Sequence, residues 1–532
     1  MKDSLASASG WYEDTRWRIA RHVTLALVGV FFLSTLREGH SWGDDFAQYL
    51  RHADNIANRA SYSETGYIYN PQNAIVGPEA YPPGLPAALA PVAAIFGANL
   101  SAYKVACVFY FLIALLVAAR LFAADLSALN GWICLAIVGF TPAYWEVKDG
   151  IASEHLFLPL WYAALLVADD WYRRQRVFGS QTLHGILLGG LIFLACATRS
   201  VGVVLLPAVF VCEVLIARRA TRVGVIALSS AVALLLAQRL VLPASGAGYL
   251  EQLRGTTLSS LLANAWADTT SFSLIWQNGH WSGVRRIAGA AFALLGAFGF
   301  LRANLPRPTP LGVAAAGYFA VIVIWPSADG LRMILPLLPA FVFYLLLGIQ
   351  SLTSVAIVAF RSAKERRFAE RKPTTQFAFA GSLGLLVFSL ASFGAAYSVA
   401  DFGPIPTGVE TPAARDLFDF VRNHTRSDDV CLFFKPRALA LYTGRRSSAY
   451  PLGTDELEFW RYAKSIGATI IIVRTDAADL AGEDQTSEML APFPSRDLEE
   501  VFANSQFRVY RWTPPATDVR KMAVQAVEFA AN

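Results

Sequence analysis

The chain has 532 residues, 55% of them hydrophobic and only 16% charged, with a mean hydropathy of +0.41. A soluble domain carries nearer a quarter charged residues, and several apolar runs here approach the roughly 20 residues that cross a bilayer, so composition excludes a soluble globular protein and specifies a polytopic membrane protein. The net charge of +5 is small for this length; it resides in short Arg-rich loops, which marks topology rather than nucleic-acid binding.

In chain order, residues 1–17 are polar, and 18–36 form a first apolar span led by Arg16, Arg18 and Arg21. No small-residue cleavage pattern follows it, so it reads as an anchor rather than a removed signal peptide. Directly after it comes Ser41-Trp-Gly-Asp44-Asp45-Phe-Ala-Gln-Tyr49, a pair of carboxylates where a membrane helix has just surfaced. Further apolar segments run at 83–98, 101–123, 130–146, 153–169, 184–198, 200–217, 223–242, 286–302, 311–326, 332–350 and 377–399. Cys107, Cys134, Cys196 and Cys212 lie inside such runs, Cys431 lies beyond them, and with no CxxC neither a zinc site nor a disulfide framework is signalled.

The loops divide by charge. Trp171-Tyr-Arg-Arg-Gln-Arg176, Arg218-Arg219-Ala-Thr-Arg222, Arg302 to Arg307 and Arg361 to Lys372 are basic, and the positive-inside rule places all four in the cytoplasm. Counting crossings from a cytoplasmic N-terminus then requires one early segment not to cross. The segment at 83–98 is short and carries Pro83, Pro86 and Pro91, with Pro82 before it, so it is predicted to be a half-helix at the outer face. About eleven spans remain. This count puts Asp44, Asp45, the Glu146 to His155 loop, Arg199 and the Ser327 to Arg332 turn on one outer face. A longer outer loop at 243–285 carries Tyr249, Trp266, Trp276 and Trp281, which favour the headgroup layer and could also line a lipid entry.

After residue 400 the pattern changes. Gly403-Pro404-Ile-Pro406 reads as a linker, 411–424, 436–443 and 454–466 as helices, and Val430–Phe434, Thr469–Arg474 and Phe507–Trp512 as strands. The expected organisation is a membrane domain over 1–400 and a small extracytoplasmic α/β domain over 403–532. Arg437, Tyr442 and Arg445 look exposed and could choose an acceptor, but nothing in the sequence separates them from ordinary surface.

Several groups could carry chemistry. A carboxylate beside lipid is costly without a partner or a task, and a low-dielectric boundary raises its proton affinity, which suits Asp44 or Asp45 as a general base; a helix-start cap is the plainer reading. Glu154 and His155 open a span behind Ser153, where a cap and dipole partner is again the plainer reading. Together with the aspartates they offer an oxygen-rich set for a divalent cation. Arg199 and Arg332 could grip a phosphate through paired hydrogen bonds, or snorkel to the interface; Lys148 is a weaker form of the same idea. Tyr81-Pro82-Pro83-Gly84 could present a ring at a fixed angle. No Walker loop, GxSxG or HExxH stands in suitable context, and no soluble nucleotide cofactor is implied.

An acidic pair after the first span, the Tyr81-Pro-Pro motif, Ser153-Glu154, Ala-Thr-Arg199-Ser-Val-Gly-Val-Val-Leu-Leu-Pro207 and Arg332…Leu-Pro336-Leu-Leu-Pro339 together resemble the GT-C superfamily of membrane glycosyltransferases. The branch is that of the protein O-mannosyltransferases and the lipid A aminoarabinose transferases. The resemblance implies a multi-pass protein of a bacterial inner membrane with a periplasmic C-terminal domain. It implies a sugar donor linked to a polyprenyl phosphate and an acceptor lipid, glycan or protein. Asp44, or failing that Asp45, is then the base, and the second acidic position falls on Glu154. The aminoarabinose branch has a lysine where Tyr81 stands, which shifts phosphate contact to Arg199 and Arg332. Transfer by a single displacement would invert the sugar, would not strictly require a metal, and would gain from closure of the 60–82 loop. The competing class is a transporter or flippase for a lipid-linked sugar or another anionic lipid; the paired repeats and midplane charges that such proteins show are not evident here. A third reading is a non-catalytic envelope scaffold.

Overall fold

The computed structural model describes residues 15–73, 76–242, 257–276, 282–325, 331–363, 372–452, 456–475 and 498–513. The chain forms two compact units: residues 1–36, 104–241 and 255–402 make the first, and residues 37–103, 242–254 and 403–532 the second.

The first unit is a helical bundle. Among the described residues, eight helices are long and apolar enough to cross a membrane: Thr15–Ser34, Leu100–Phe122, Gln181–Thr198, Ser200–Ala217, Arg222–Val241, Arg286–Asn304, Arg332–Leu352 and Phe379–Tyr397. The first shows how such a helix is sorted. Val28 and Phe32 are buried in the bundle, whereas Ile19, Val23, Leu27 and Val30 face outward as an apolar stripe suited to lipid. Small residues let helices meet closely. A Cβ added to Gly189 would stand 2.5 Å from the Ala227 carbonyl oxygen, so the Gln181–Thr198 helix needs glycine where it crosses Arg222–Val241.

The aromatics of the 243–285 region divide. Trp266 is exposed. Trp276 is fully buried, its indole N–H donating to Ser389 Oγ at 2.9 Å and its ring packed on Phe292, so it is a core residue and not a headgroup anchor. Tyr249, Trp281 and positions 326–330 lie outside the described residues, as does the middle of the 361–372 basic run.

The second unit is α/β. Its six-stranded sheet comprises β1 (Tyr67–Ile68), β2 (Val430–Leu432), β3 (Arg446–Ser448), β4 (Ala468–Arg474), β5 (Leu498–Ala503) and β6 (Phe507–Trp512), in the order β1-β3-β2-β4-β6-β5. The first four in that order run parallel, and β6 and β5 are antiparallel. Thus the segment after the first span supplies an edge strand, Tyr67 opposite Ser447, to a sheet built otherwise from the last hundred residues. Asn70 and Asn73 extend the join by donating to the carbonyls of Ala449 and Tyr450 at 2.9 and 2.8 Å. Part of the 60–82 segment, expected to close over a site, is thereby tied to the sheet region between Gly66 and Asn73.

A second seam lies at residues 37–42. Ile405 and Val409 N–H groups donate to the Glu38 and His40 carbonyls, and Arg37 Nε donates to Gly403 O at 2.7 Å. Trp42 then inserts among Phe418, Phe433, Phe434 and Phe507, with centroids 5.4–6.0 Å away. Trp42→Ala is expected to destabilise this unit by about 3–5 kcal/mol, the usual range for an emptied aromatic site. Limited proteolysis in detergent checks it: cleavage of the C-terminal region should appear at lower temperature than in the wild type, and unchanged resistance would show that the indole is dispensable.

The segment at 83–98 contains a 13-residue helix, Gly84–Phe96, in this second unit. At 1.5 Å per residue it reaches about 20 Å, short of a hydrocarbon core of about 30 Å.

Candidate active site

Two charged clusters form, one in each unit. In the second unit Asp44 and Asp45 open the Asp45–Ala57 helix, and neither works as that helix's own side-chain cap. Asp44 reaches instead to the start of the Pro436–Thr443 helix, whose N-cap residue Lys435 makes no capping bond. Asp44 Oδ1 accepts from Ala438 N at 3.0 Å and Oδ2 from Arg437 N at 3.4 Å. A carboxylate here satisfies two of the donors that a helix start leaves open. Burial is the dominant influence on the proton affinity of Asp44; the Arg437 guanidinium, the Ala438 N–H and Lys435 pull the other way, and the balance leaves its pKa raised to about 6.

Asp45 is more open. Its Oδ1 accepts from the Tyr81 hydroxyl at 2.6 Å and from Arg437 Nη1 at 3.4 Å. Arg437 Nη1 also donates to the Tyr81 oxygen at 2.5 Å, so the three side chains form a closed triangle. Tyr81 is aimed by its neighbours. Its N–H donates to His52 Nε2, its carbonyl accepts from the Tyr62 hydroxyl, and its ring leans on Tyr49. His52 is buried and stacked on Tyr62, with Nδ1 on the Tyr62 carbonyl at 2.7 Å. Burial pulls its pKa down to about 4, so it is a neutral scaffold at physiological pH.

In the first unit Glu154 opens the Glu154–Tyr172 helix with only 3% of its side chain exposed. One oxygen, Oε1, takes both Arg199 Nη1 and Arg332 Nε, the latter at 2.5 Å. Arg199 also donates to Ser153 Oγ at 3.3 Å. Arg199 is in extended conformation where the Gln181–Thr198 helix breaks into the 3₁₀ turn Ser200–Val204, which turns its side chain off both helix axes. Backbone near Arg332 is fixed by three hydroxyls: Tyr318 on Met333 O, Tyr144 on Leu335 O and Tyr162 on Pro336 O. The two guanidinium groups thus share one carboxylate oxygen; guanidinium is the side-chain group that binds phosphate through paired hydrogen bonds elsewhere.

Lys148 lies in the turn before the Glu154–Tyr172 helix and His155 at its start. Lys148 pairs with Asp149 at 2.6 Å, lies 4.1 Å from the centroid of the Trp145 ring and is 1% exposed, so it is packed inward. His155 Nε2 lies 3.1 Å from both the Val147 and Gly150 carbonyls and closes the turn before its own helix. Among the described residues, no group of three His, Cys, Asp or Glu could hold a metal ion.

Arg437 is the residue that sequence reasoning misplaced: it is 2% exposed and central to the aspartate cluster. Its partners are some 390 positions away, and Lys435-Pro-Arg437 carries no local sign of them. Tyr442 and Arg445, named with it, are structural. Tyr442 stacks on Phe418 at 4.9 Å, and Arg445 Nη2 donates to the Arg422 and Thr425 carbonyls.

No protein-family model matches the chain, and no curated protein matches its sequence. Solved structures do. The oligosaccharyltransferase AglB from Archaeoglobus fulgidus, in complex with an inhibitory peptide and a dolichol-phosphate, superposes with a TM-score of 0.55 at 12% identity, over 87% of this chain and 70% of that one. ArnT from Cupriavidus metallidurans, bound to undecaprenyl phosphate, superposes with a TM-score of 0.52 at 14% identity, over 94% of this chain and 100% of that one. The chain therefore has the GT-C fold, and its structural neighbours are GT-C glycosyltransferases.

Proposed function

We propose that the protein moves a sugar from a polyprenyl-phosphate carrier to an acceptor hydroxyl at the outer face of a bacterial inner membrane, with the second unit periplasmic. The observation that carries this reading is Asp44, buried enough to raise its proton affinity and held at a helix start beside Asp45 on a GT-C fold. Neighbours of that fold were solved with dolichol-phosphate and with undecaprenyl phosphate, which supports a lipid phosphate as donor group.

In the proposed reaction Asp44 takes the proton of the acceptor hydroxyl as its oxygen attacks the anomeric carbon. The bond from that carbon to the phosphate oxygen breaks, polyprenyl phosphate leaves with the electron pair, and the configuration inverts through an oxocarbenium-like state. Separately, in the first unit, Arg199 and Arg332, held together by Glu154, form a cationic cluster of the kind that suits a lipid phosphate. Glu154 is better suited to orienting these arginines than to moving protons, because its Oε1 already accepts from both guanidinium groups.

A base must be unprotonated, so kcat/KM should fall tenfold per pH unit below about 6, where Asp44 protonates. The test is a pH profile from 5 to 9 with labelled undecaprenyl-phosphate sugar and envelope extract as acceptor. A flat profile across that range contradicts Asp44 as base. Mass spectrometry of envelope glycans from a strain lacking the protein then names the sugar and acceptor.

A further inference from the structure

Arg437 belongs to the C-terminal part of the chain, yet its guanidinium sits against two carboxylates that belong to the segment after the first span. Nη1 is 3.4 Å from Asp45 Oδ1 and Nε is 3.8 Å from Asp44 Oδ2. Nη2 donates to Pro78 O at 2.9 Å. The Tyr67 and Tyr81 ring centroids lie 4.8 and 4.5 Å from its central carbon. The turn below is shaped around it. Gly77 has φ +86°, and a Cβ there would stand 3.2 Å from Nη2 and 3.3 Å from the Tyr81 hydroxyl. With 1% of the side chain exposed, the guanidinium is enclosed by protein groups, so whatever it does it does through the carboxylates.

We propose that the C-terminal part of the second unit completes the base: Arg437 is a positioning residue that keeps two adjacent aspartates ionised together and locks Tyr81 against Asp45. Carboxylates on consecutive residues oppose each other's ionisation, and a desolvated cation within 4 Å of both is what offsets that repulsion. Among the described residues, the other charged and titratable groups around the pair include Lys435, Tyr67 and Tyr81, with Tyr49 and neutral His52 beside Tyr81 and Glu79 bonded to Tyr69 N. Arg437 bonds to the Asp45 side chain, and Asp44 feels it more strongly than Lys435. An arginine is required rather than a lysine because the donors are spread over two nitrogens of a planar fork, Nη1 on Asp45 and Tyr81 and Nη2 on Pro78, which one ammonium nitrogen does not span.

This inference deepens the enzymatic reading, on which its kinetic arm rests, so the deciding experiment includes an arm that needs no substrate. Carboxyl protonation in the full-length protein is followed by difference infrared spectroscopy between pH 4 and 9, and the Asp44 band is assigned by its loss in Asp44→Asn. In Arg437→Gln the midpoint should rise by about one pH unit or more, and the acid limb of kcat/KM should move with it. In Arg437→Lys, which keeps the charge but loses the fork, the midpoint should stay within about half a unit of the wild type while kcat falls at least tenfold. A midpoint unmoved in a folded Arg437→Gln overturns the proposal. Should that variant not fold, wild-type kcat in Arg437→Lys overturns it and the expected loss supports it. A shifted midpoint in a protein that transfers no sugar supports Arg437 as the group that sets ionisation and removes the enzymatic reading instead.

Discussion

Asp44→Asn is expected to lower sugar transfer at pH 7.5 by at least about a hundredfold, the low end of what a general base contributes, while leaving the melting temperature unchanged or higher. The two effects separate because of how Asp44 is held. Burial raises its pKa to about 6, above the usual aspartate value of 3.8. A group whose folded-state pKa is raised favours the fold at acid pH, below its unfolded value, and loses that contribution as pH rises through the folded value. At pH 7.5 the ionised Asp44 is therefore a cost to the fold that function can explain. Asparagine removes that cost, and its carbonyl oxygen can still accept from Ala438 N. Initial rates and thermal melting of wild type and variant in one detergent measure both quantities. Full activity in Asp44→Asn would remove Asp44 as base. Asp45→Asn is the companion, because Asp45 is the more exposed of the two and already takes the Tyr81 hydroxyl at 2.6 Å. If that variant alone loses transfer, the proton goes to Asp45.

Glu154→Ala should have the second large effect, on the fold and on the donor. It leaves two guanidinium groups facing each other at a buried helix start with their shared counter-charge gone. Removing one member of a buried ion pair costs about 3–5 kcal/mol, and the lower end applies because Arg332 is 40% exposed. A thermal shift of several degrees downward is expected in detergent. Glu154→Gln is the milder variant: it keeps one acceptor oxygen for the arginines and should fold. Its donor KM should nevertheless rise about tenfold, since hydrogen-bonded positioning of a charge is worth roughly 1–3 kcal/mol. Unchanged donor KM in Glu154→Gln would show that the pair is structural only.

The local pattern of the chain disclosed what is local. Pro412 at the first helical position, with Leu417, Phe418 and Val421 on one face, marks a helix, and the structure has it at Pro412–His424 with those three residues buried. The β-branched run at 469–474 is strand β4. Trp276 was misread because an aromatic in a loop-like stretch between spans looks interfacial until its partner Ser389, 113 residues on, is known. Strands β1 and β3 are two and three residues long and carry no alternation, so only the pairing of Tyr67 with Ser447 reveals them. The same reason hid Arg437. A basic residue after a Pro in a polar region reads as surface, and its burial depends on carboxylates contributed from nearly the other end of the chain. Charge and crossing count place Asp44, Asp45, Glu154, Arg199 and Arg332 on one outer face, but neither the bond from Tyr81 to Asp45 nor the pairing of Glu154 with two arginines can be read from spacing, because each needs side-chain positions set by packing.

Catalysis of transfer and mere carriage of a lipid-linked sugar across the membrane differ in whether product forms without a sealed bilayer. The direct measurement is to incubate the purified protein in detergent, without sealed vesicles, with undecaprenyl-phosphate sugar labelled in the sugar and with envelope extract. The account predicts label in an acceptor fraction, equimolar release of undecaprenyl phosphate, and loss of both with Asp44→Asn. No product in detergent, combined with movement of intact donor between leaflets in proteoliposomes, would contradict it.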